Sequence, residues 1–210
     1  MKKVASHALG CKVNQYESEA IAELFAEKGY EIVGIDDAAD VYIINTCTVT
    51  NFGDKKSRQL IRKVKRQNPE ATVVAIGCYA QTAPEDIKKI EGINLIVGTK
   101  GRADIVELVE NYKSENGVVC TVGEIAKERV FEKLSINKLS DRTRAYLKIQ
   151  DGCSQFCSYC IIPYARGPIR SRDPQDIAEE VKTLADNGFK EIILTGIHVA
   201  SYGKDLKGTS

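Results

Sequence analysis

No apolar stretch in this chain approaches bilayer length. The longest runs are strand-sized pieces such as VYII and IIL, whereas a membrane-spanning helix needs about 20 apolar residues. The start MKKVASHALGCKVNQ has no apolar signal-peptide core, so a cytoplasmic protein without membrane contact is expected. Bulk charge is lacking too. With 30 Lys plus Arg against 29 Asp plus Glu, the net charge is +1, and any affinity for nucleic acid must come from a local patch. There are only two histidines, no internal repeat and no low-complexity tract. Cysteine, by contrast, is plentiful at seven. An odd count in a reducing compartment argues against disulfides, so clustered thiols point to metal or thiol chemistry. Cys120, alone in the apolar run NGVVCTV, reads as a small core residue.

A length of 210 residues suits one full domain and part of another. Residues 1–123 alternate strand-like and helix-like patterns. KVASHAL (3–9), EIVGI (31–35), VYIINT (41–46), TVVAIG (72–77) and NLIVGT (94–99) read as strands, several as the continuous apolar runs of a buried parallel sheet. Helices are expected from Asn14 to Lys28, with an Asn14–Glu17 capping box, from about Asp54 to Gln67, and near Pro84 and Ala103. This βα series implies an α/β fold with an open, mainly parallel sheet. Residues 124–141 are polar and aperiodic, and read as a linker or crossing segment.

A second unit spans residues 142–210. It comprises the strand RAYLKIQ (144–150), a cysteine loop, a helix capped by Asp173 with Pro174 at its first position, and the strand EIILTG (191–196). Two strands and one helix cannot cover both faces of a parallel sheet. The chain is therefore expected to be the front portion of a longer protein.

The cysteine loop DGCSQFCSYC sets Cys153, Cys157 and Cys160 in C-x3-C-x2-C spacing. One short loop can wrap such thiolates around an iron–sulfur core or a zinc ion. A structural zinc site takes four closed ligands, and no histidine is near in sequence, His198 lying a helix and a strand away. Three thiolates on a cubane leave one iron open to an outside ligand. A zinc knuckle that takes its fourth ligand from elsewhere is the alternative.

This spacing, with aromatic Tyr159 before the last cysteine, resembles the signature of the radical S-adenosylmethionine (SAM) superfamily. The resemblance implies a partial (β/α)6 barrel of which only the start is present, and a 4Fe-4S cluster whose fourth iron is chelated by SAM. It also implies Tyr159 near the adenine of SAM and the Thr195-Gly196 turn near its amino group, with His198 a further candidate toward SAM or substrate.

Three more cysteines are dispersed: Cys11 in LGCKVNQ, Cys47 in INTCTVTN and Cys78 in IGCYAQT. Each falls just past the carboxyl end of an expected strand, and in an open parallel sheet those ends share one edge where ligand crevices form. A buried structural thiol is the ordinary reading of any one of them, but not of all three together. This trio ahead of the radical SAM motif resembles the methylthiotransferase family, whose amino-terminal domain holds a second 4Fe-4S cluster through three such cysteines. LGCKVNQYES, NTCTVTNFGDKKSRQ, GCYAQT, CIIPYARGPIRSR and LTGIH look most like the branch that modifies N6-threonylcarbamoyladenosine at tRNA position 37. The alternatives within the family are the isopentenyladenosine branch, which tends to read GQNV where this chain has GIHV, and the branch acting on a ribosomal-protein aspartate, which departs further.

The family's chemistry implies conversion of the adenine C2–H bond to C–S–CH3, with one SAM methylating sulfur, a second supplying the radical, and reduced flavodoxin or ferredoxin as electron source. The family also carries the rest of the barrel and a carboxy-terminal RNA-binding domain, so this chain alone is expected to be inactive. A two-cluster electron carrier is the rival of another class.

Basic residues are concentrated in DKKSRQLIRKVKRQ, where Lys55, Lys56, Arg58 and Arg62 are candidate phosphate contacts. A solvated helix face around Leu60, Ile61 and Val64 accounts for them equally well. Arg166, Arg170 and Arg172, just after the cluster loop, are expected to meet RNA or SAM.

Overall fold

The computed structural model describes residues 1–136 and 143–206. The first unit contains β1 (Lys3–Ala8), α1 (Lys12–Glu27), β2 (Glu31–Ile32), β3 (Val41–Thr46), α2 (Asn51–Gln67), β4 (Thr72–Gly77), α3 (Cys78–Thr82), α4 (Pro84–Lys88), β5 (Leu95–Ile96), α5 (Ile105–Glu110) and β6 (Val119–Cys120). The second contains β7 (Arg144–Asp151), α6 (Ile162–Arg166), β8 (Arg170–Ser171), α7 (Pro174–Asp186) and β9 (Glu191–Gly196).

β1 to β6 form one parallel sheet in the order β2-β1-β3-β4-β5-β6. The apolar strands expected from the sequence lie at its centre, where β3 is buried at every position and each face is covered by helices. The order reverses between β1 and β3, which makes their carboxyl ends the switch point where such sheets open a crevice. A second sheet runs β8-β7-β9, with β7 parallel to β9 and antiparallel to the two-residue β8. Both β6 and β8 are additions to the sequence reading.

Helix α1 joins the two sheets. Ile21 and Phe25 pack with Val4, Val41 and Ile43 of the first, while Tyr16 and Ala20 pack with Leu147, Ile149 and Leu184 of the second unit. Each buried Val, Leu, Ile or Phe among them contributes about 1.5–3 kcal/mol. The helix starts at Lys12, not Asn14, and no side chain caps it. The expected capping box is therefore replaced: Asn14 donates to the carbonyls of Leu9 (2.8 Å) and Thr46 (3.1 Å), and Glu17 is fully buried among cations.

Residues 124–136 cross from one unit to the other as a packed strap rather than a free linker. Ile125, Leu134 and Ile136 are buried, and Glu132 pairs with Arg102 at 2.6 Å. The remainder of the expected linker, 137–141, lies outside the described residues. The Asp173 cap is as expected, accepting from Gln175 N–H at 2.8 Å.

Candidate functional site

Strand register brings the dispersed cysteines together. Cys11, Cys47 and Cys78 follow β1, β3 and β4, three neighbours in the sheet with Ala8 opposite Asn45 and Thr46 opposite Gly77. They share one carboxyl edge, and two of them flank the switch point. Gly10 sits in the left-handed region at φ +99, and a Cβ there would lie 2.7 Å from Cys47 Sγ, so only glycine lets the Cys11 turn close against Cys47. The Cys11 thiol donates weakly to Asn14 Oδ1 at 3.5 Å. A cavity of about 660 Å³ between β1 and α1, lined by His7, Gly10, Cys11 and Lys12 among others, gives small molecules access to that exposed thiol.

The second trio lies on the loop after β7. Gly152 enters it at φ +71, where a Cβ would run into the Pro168 carbonyl, and the Cys153 N–H donates to Gly167 O at 2.9 Å. A turn then ties Cys160 N–H to Cys157 O at 2.9 Å. Cys157 is exposed, and Tyr159 is 90% exposed beside it. Gln155 on the loop comes within 3.5 Å of His198 Nε2. The His198 N–H donates to Gln150 Oε1 at 2.7 Å, and its Nδ1 lies 2.6 Å from Ser201 Oγ. Thr195 and Gly196 end β9 beside Lys148 and Gln150 of β7, the strand that leads into the thiol loop; of the other candidate SAM contacts, Tyr159 lies on that loop and His198 comes within reach of its Gln155.

Among the described residues, no three His, Cys, Asp or Glu side chains converge as the ligands of a single metal ion. A cubane asks for something different, one thiolate per iron on separate corners. Three thiols follow adjacent strand ends, and three share one tight loop.

Between the trios lies a charge network that the sequence reading missed. Glu17 meets Arg102 at 2.6 Å, Arg166 at 2.6 Å and Lys148 at 2.9 Å, all fully buried. Asp151 adds contacts to Lys148 at 3.0 Å and to Arg166 and Arg170 at 3.5 Å. Burial alone would raise both carboxyls, yet the cations outweigh it: Glu17 is held well below the usual range and Asp151 at about 2. Both stay ionised. At its edge, Arg166 Nε donates to Cys78 Sγ at 3.1 Å, partly offsetting the rise that burial imposes on that thiol.

This corrects one expectation. Arg166, Arg170 and Arg172 are buried, their guanidinium groups committed to Glu17, Asp151 and Glu180, so they do not present charge to RNA. On α2, by contrast, Lys55, Lys56 and Arg62 are exposed, while Arg58 donates to Tyr79 Oη at 3.0 Å and Lys56 stands over the Phe52 ring.

A parallel sheet with three thiols at its edge, docked on a strand–cysteine loop–helix–strand unit, has the architecture of a radical SAM protein with an added amino-terminal domain. Family models match accordingly: Uncharacterized protein family UPF0004 over residues 3–98 and the Radical SAM superfamily over residues 147–207. The chain is 53% identical over 207 residues to the Threonylcarbamoyladenosine tRNA methylthiotransferase MtaB of Bacillus subtilis (strain 168), covering 99% of this chain and 46% of that protein. The protein of the same name from Aquifex aeolicus (strain VF5) is 44% identical, with 97% and 50% covered. The tRNA-2-methylthio-N(6)-dimethylallyladenosine synthase of Clostridium novyi (strain NT) is 38% identical, with 94% and 45% covered. The chain belongs to the methylthiotransferase family of radical SAM enzymes, and spans about half the length of the curated relatives it matches.

Proposed function

We propose that this chain carries the two cluster sites of a tRNA methylthiotransferase acting on N6-threonylcarbamoyladenosine at position 37. The observation that carries the reading is the pairing of two three-thiol sites in one chain, each one ligand short of a closed set. An electron carrier shields its clusters with four protein ligands. The branch assignment rests on similarity to the two proteins of that name at 53% and 44% identity.

On this reading Cys153, Cys157 and Cys160 hold one 4Fe-4S cluster and Cys11, Cys47 and Cys78 the other. When bound, the clusters and two molecules of SAM supply the radical and methyl chemistry that an unactivated C–H bond at adenine carbon 2 requires. The chain's own residues bind and orient. Gln150 fixes the turn after β9 through the His198 N–H, which sets Thr195 and Gly196 beside the thiol loop for the polar end of SAM. Exposed Tyr159 offers a face to its adenine. Lys55, Lys56 and Arg62 on α2, with Arg58 behind them, supply charge for tRNA phosphates. Reduced flavodoxin or ferredoxin is the electron source. Residues 1–123 form the auxiliary-cluster domain, 124–141 the crossing and 142–210 the start of the radical SAM domain.

Nucleoside mass spectrometry of tRNA from a strain lacking the full-length gene tests the substrate. The expected result is loss of 2-methylthio-N6-threonylcarbamoyladenosine with the isopentenyl derivative intact. Retention of the threonylcarbamoyl product, or loss of the isopentenyl one instead, contradicts the assignment.

A further inference from the structure

We infer that Arg166 is a positioning residue for the cluster of the first unit, supplied by the second: it donates its Nε–H to the sulfur of Cys78 and sets the electron density on that ligand. The inference rests on the reading of Cys11, Cys47 and Cys78 as cluster ligands. Arg166 closes α6, six residues beyond Cys160, and is fully buried. Its three nitrogens reach Cys78, Glu17 and Asn14, with Nη2 also 3.1 Å from Glu17 Oε2 and Nη1 also 3.5 Å from Asp151. Nε lies 3.1 Å from Cys78 Sγ, Nη1 2.6 Å from Glu17 Oε1, and Nη2 2.6 Å from Asn14 Oδ1. Asn14 Oδ1 in turn accepts from the Cys11 thiol. One guanidinium therefore touches one candidate ligand directly and a second through Asn14.

Charge balance favours the same role. Arg102, Lys148, Arg166 and Arg170 outnumber Glu17, Asp151 and Glu132 by one in this network. A buried cation without an anion is costly, and the network is left with one positive charge in excess beside the Cys78 sulfur, which Arg166 Nε reaches at 3.1 Å. Helix α6 is pinned where this contact needs it, since Ala165 O accepts from Thr99 Oγ1 at 2.8 Å. The two thiol sites are thus joined by a six-residue path from Cys160 to the partner of Cys78.

Hydrogen bonds to a cluster's sulfurs raise its reduction potential, so removing this donor makes the cluster harder to reduce. The test uses the chain with Cys153, Cys157 and Cys160 all changed to Ala, so that only the first trio can load. Iron is reconstituted anaerobically and the midpoint potential is read by EPR-monitored titration. Arg166→Gln combined with Glu17→Gln removes the donor while keeping the network's net charge, and Arg166→Lys keeps the charge without the fork. Both are expected to load iron and to shift the midpoint to more negative values, the Lys variant less. A midpoint equal to that of the Arg166 parent in either folded variant overturns the role of Arg166. Failure of the parent itself to take up iron overturns instead the reading of the trio as ligands.

Discussion

Glu17 is the residue on which the junction between the units depends. It pairs with three cations that come from separate parts of the chain, Arg102 before α5, Lys148 in β7 and Arg166 in α6. Truncating one member of a buried ion network leaves the others uncompensated, at about 3–5 kcal/mol. Glu17→Ala is expected to lower unfolding stability by at least that amount in urea titration, and Glu17→Gln by less. A change within about 0.5 kcal/mol, the usual range for surface substitutions, would show that water reaches the network. Local sequence gave no hint of this role. Glu17 has the spacing of a capping box with Asn14, and Arg166 stands in a run of basic residues that looks like an RNA-facing patch. Their partners lie up to 152 positions away, beyond anything periodicity registers. The cysteines were legible for the opposite reason, because each follows a recognisable strand or shares one short loop.

At the scale of elements, β1, β3, β4, β7 and β9 are legible in the sequence because six or more residues each pair and carry apolar side chains. The two-residue β6 and β8 are held by neighbours and leave no pattern of their own. Helix α1 reads as amphipathic from its Ile21–Phe25 side, but its first turns are buried too, against the second unit. Helix α2 has an unambiguous apolar seam at Ile61 and Val64 and leaves Lys55 and Arg62 in solvent. If that face contacts tRNA, Lys55→Ala and Arg62→Ala each weaken binding and lower the slope of log affinity against log salt by about 1, one phosphate per residue. Unchanged affinity and slope in both would mark α2 as a solvated face only.

At the scale of the whole molecule, α1, the 124–136 crossing and the charge network lock two sheets together so that two thiol trios sit on one connected scaffold. Arg166 ends the helix that follows one trio and contacts a thiol of the other. Iron and zinc analysis after anaerobic reconstitution measures this account most directly. The intact chain is expected to bind about eight irons and no zinc, with about four remaining when either trio is replaced by alanine, as two 4Fe-4S clusters require. Zinc in place of iron, or about four irons in the intact chain, would contradict it.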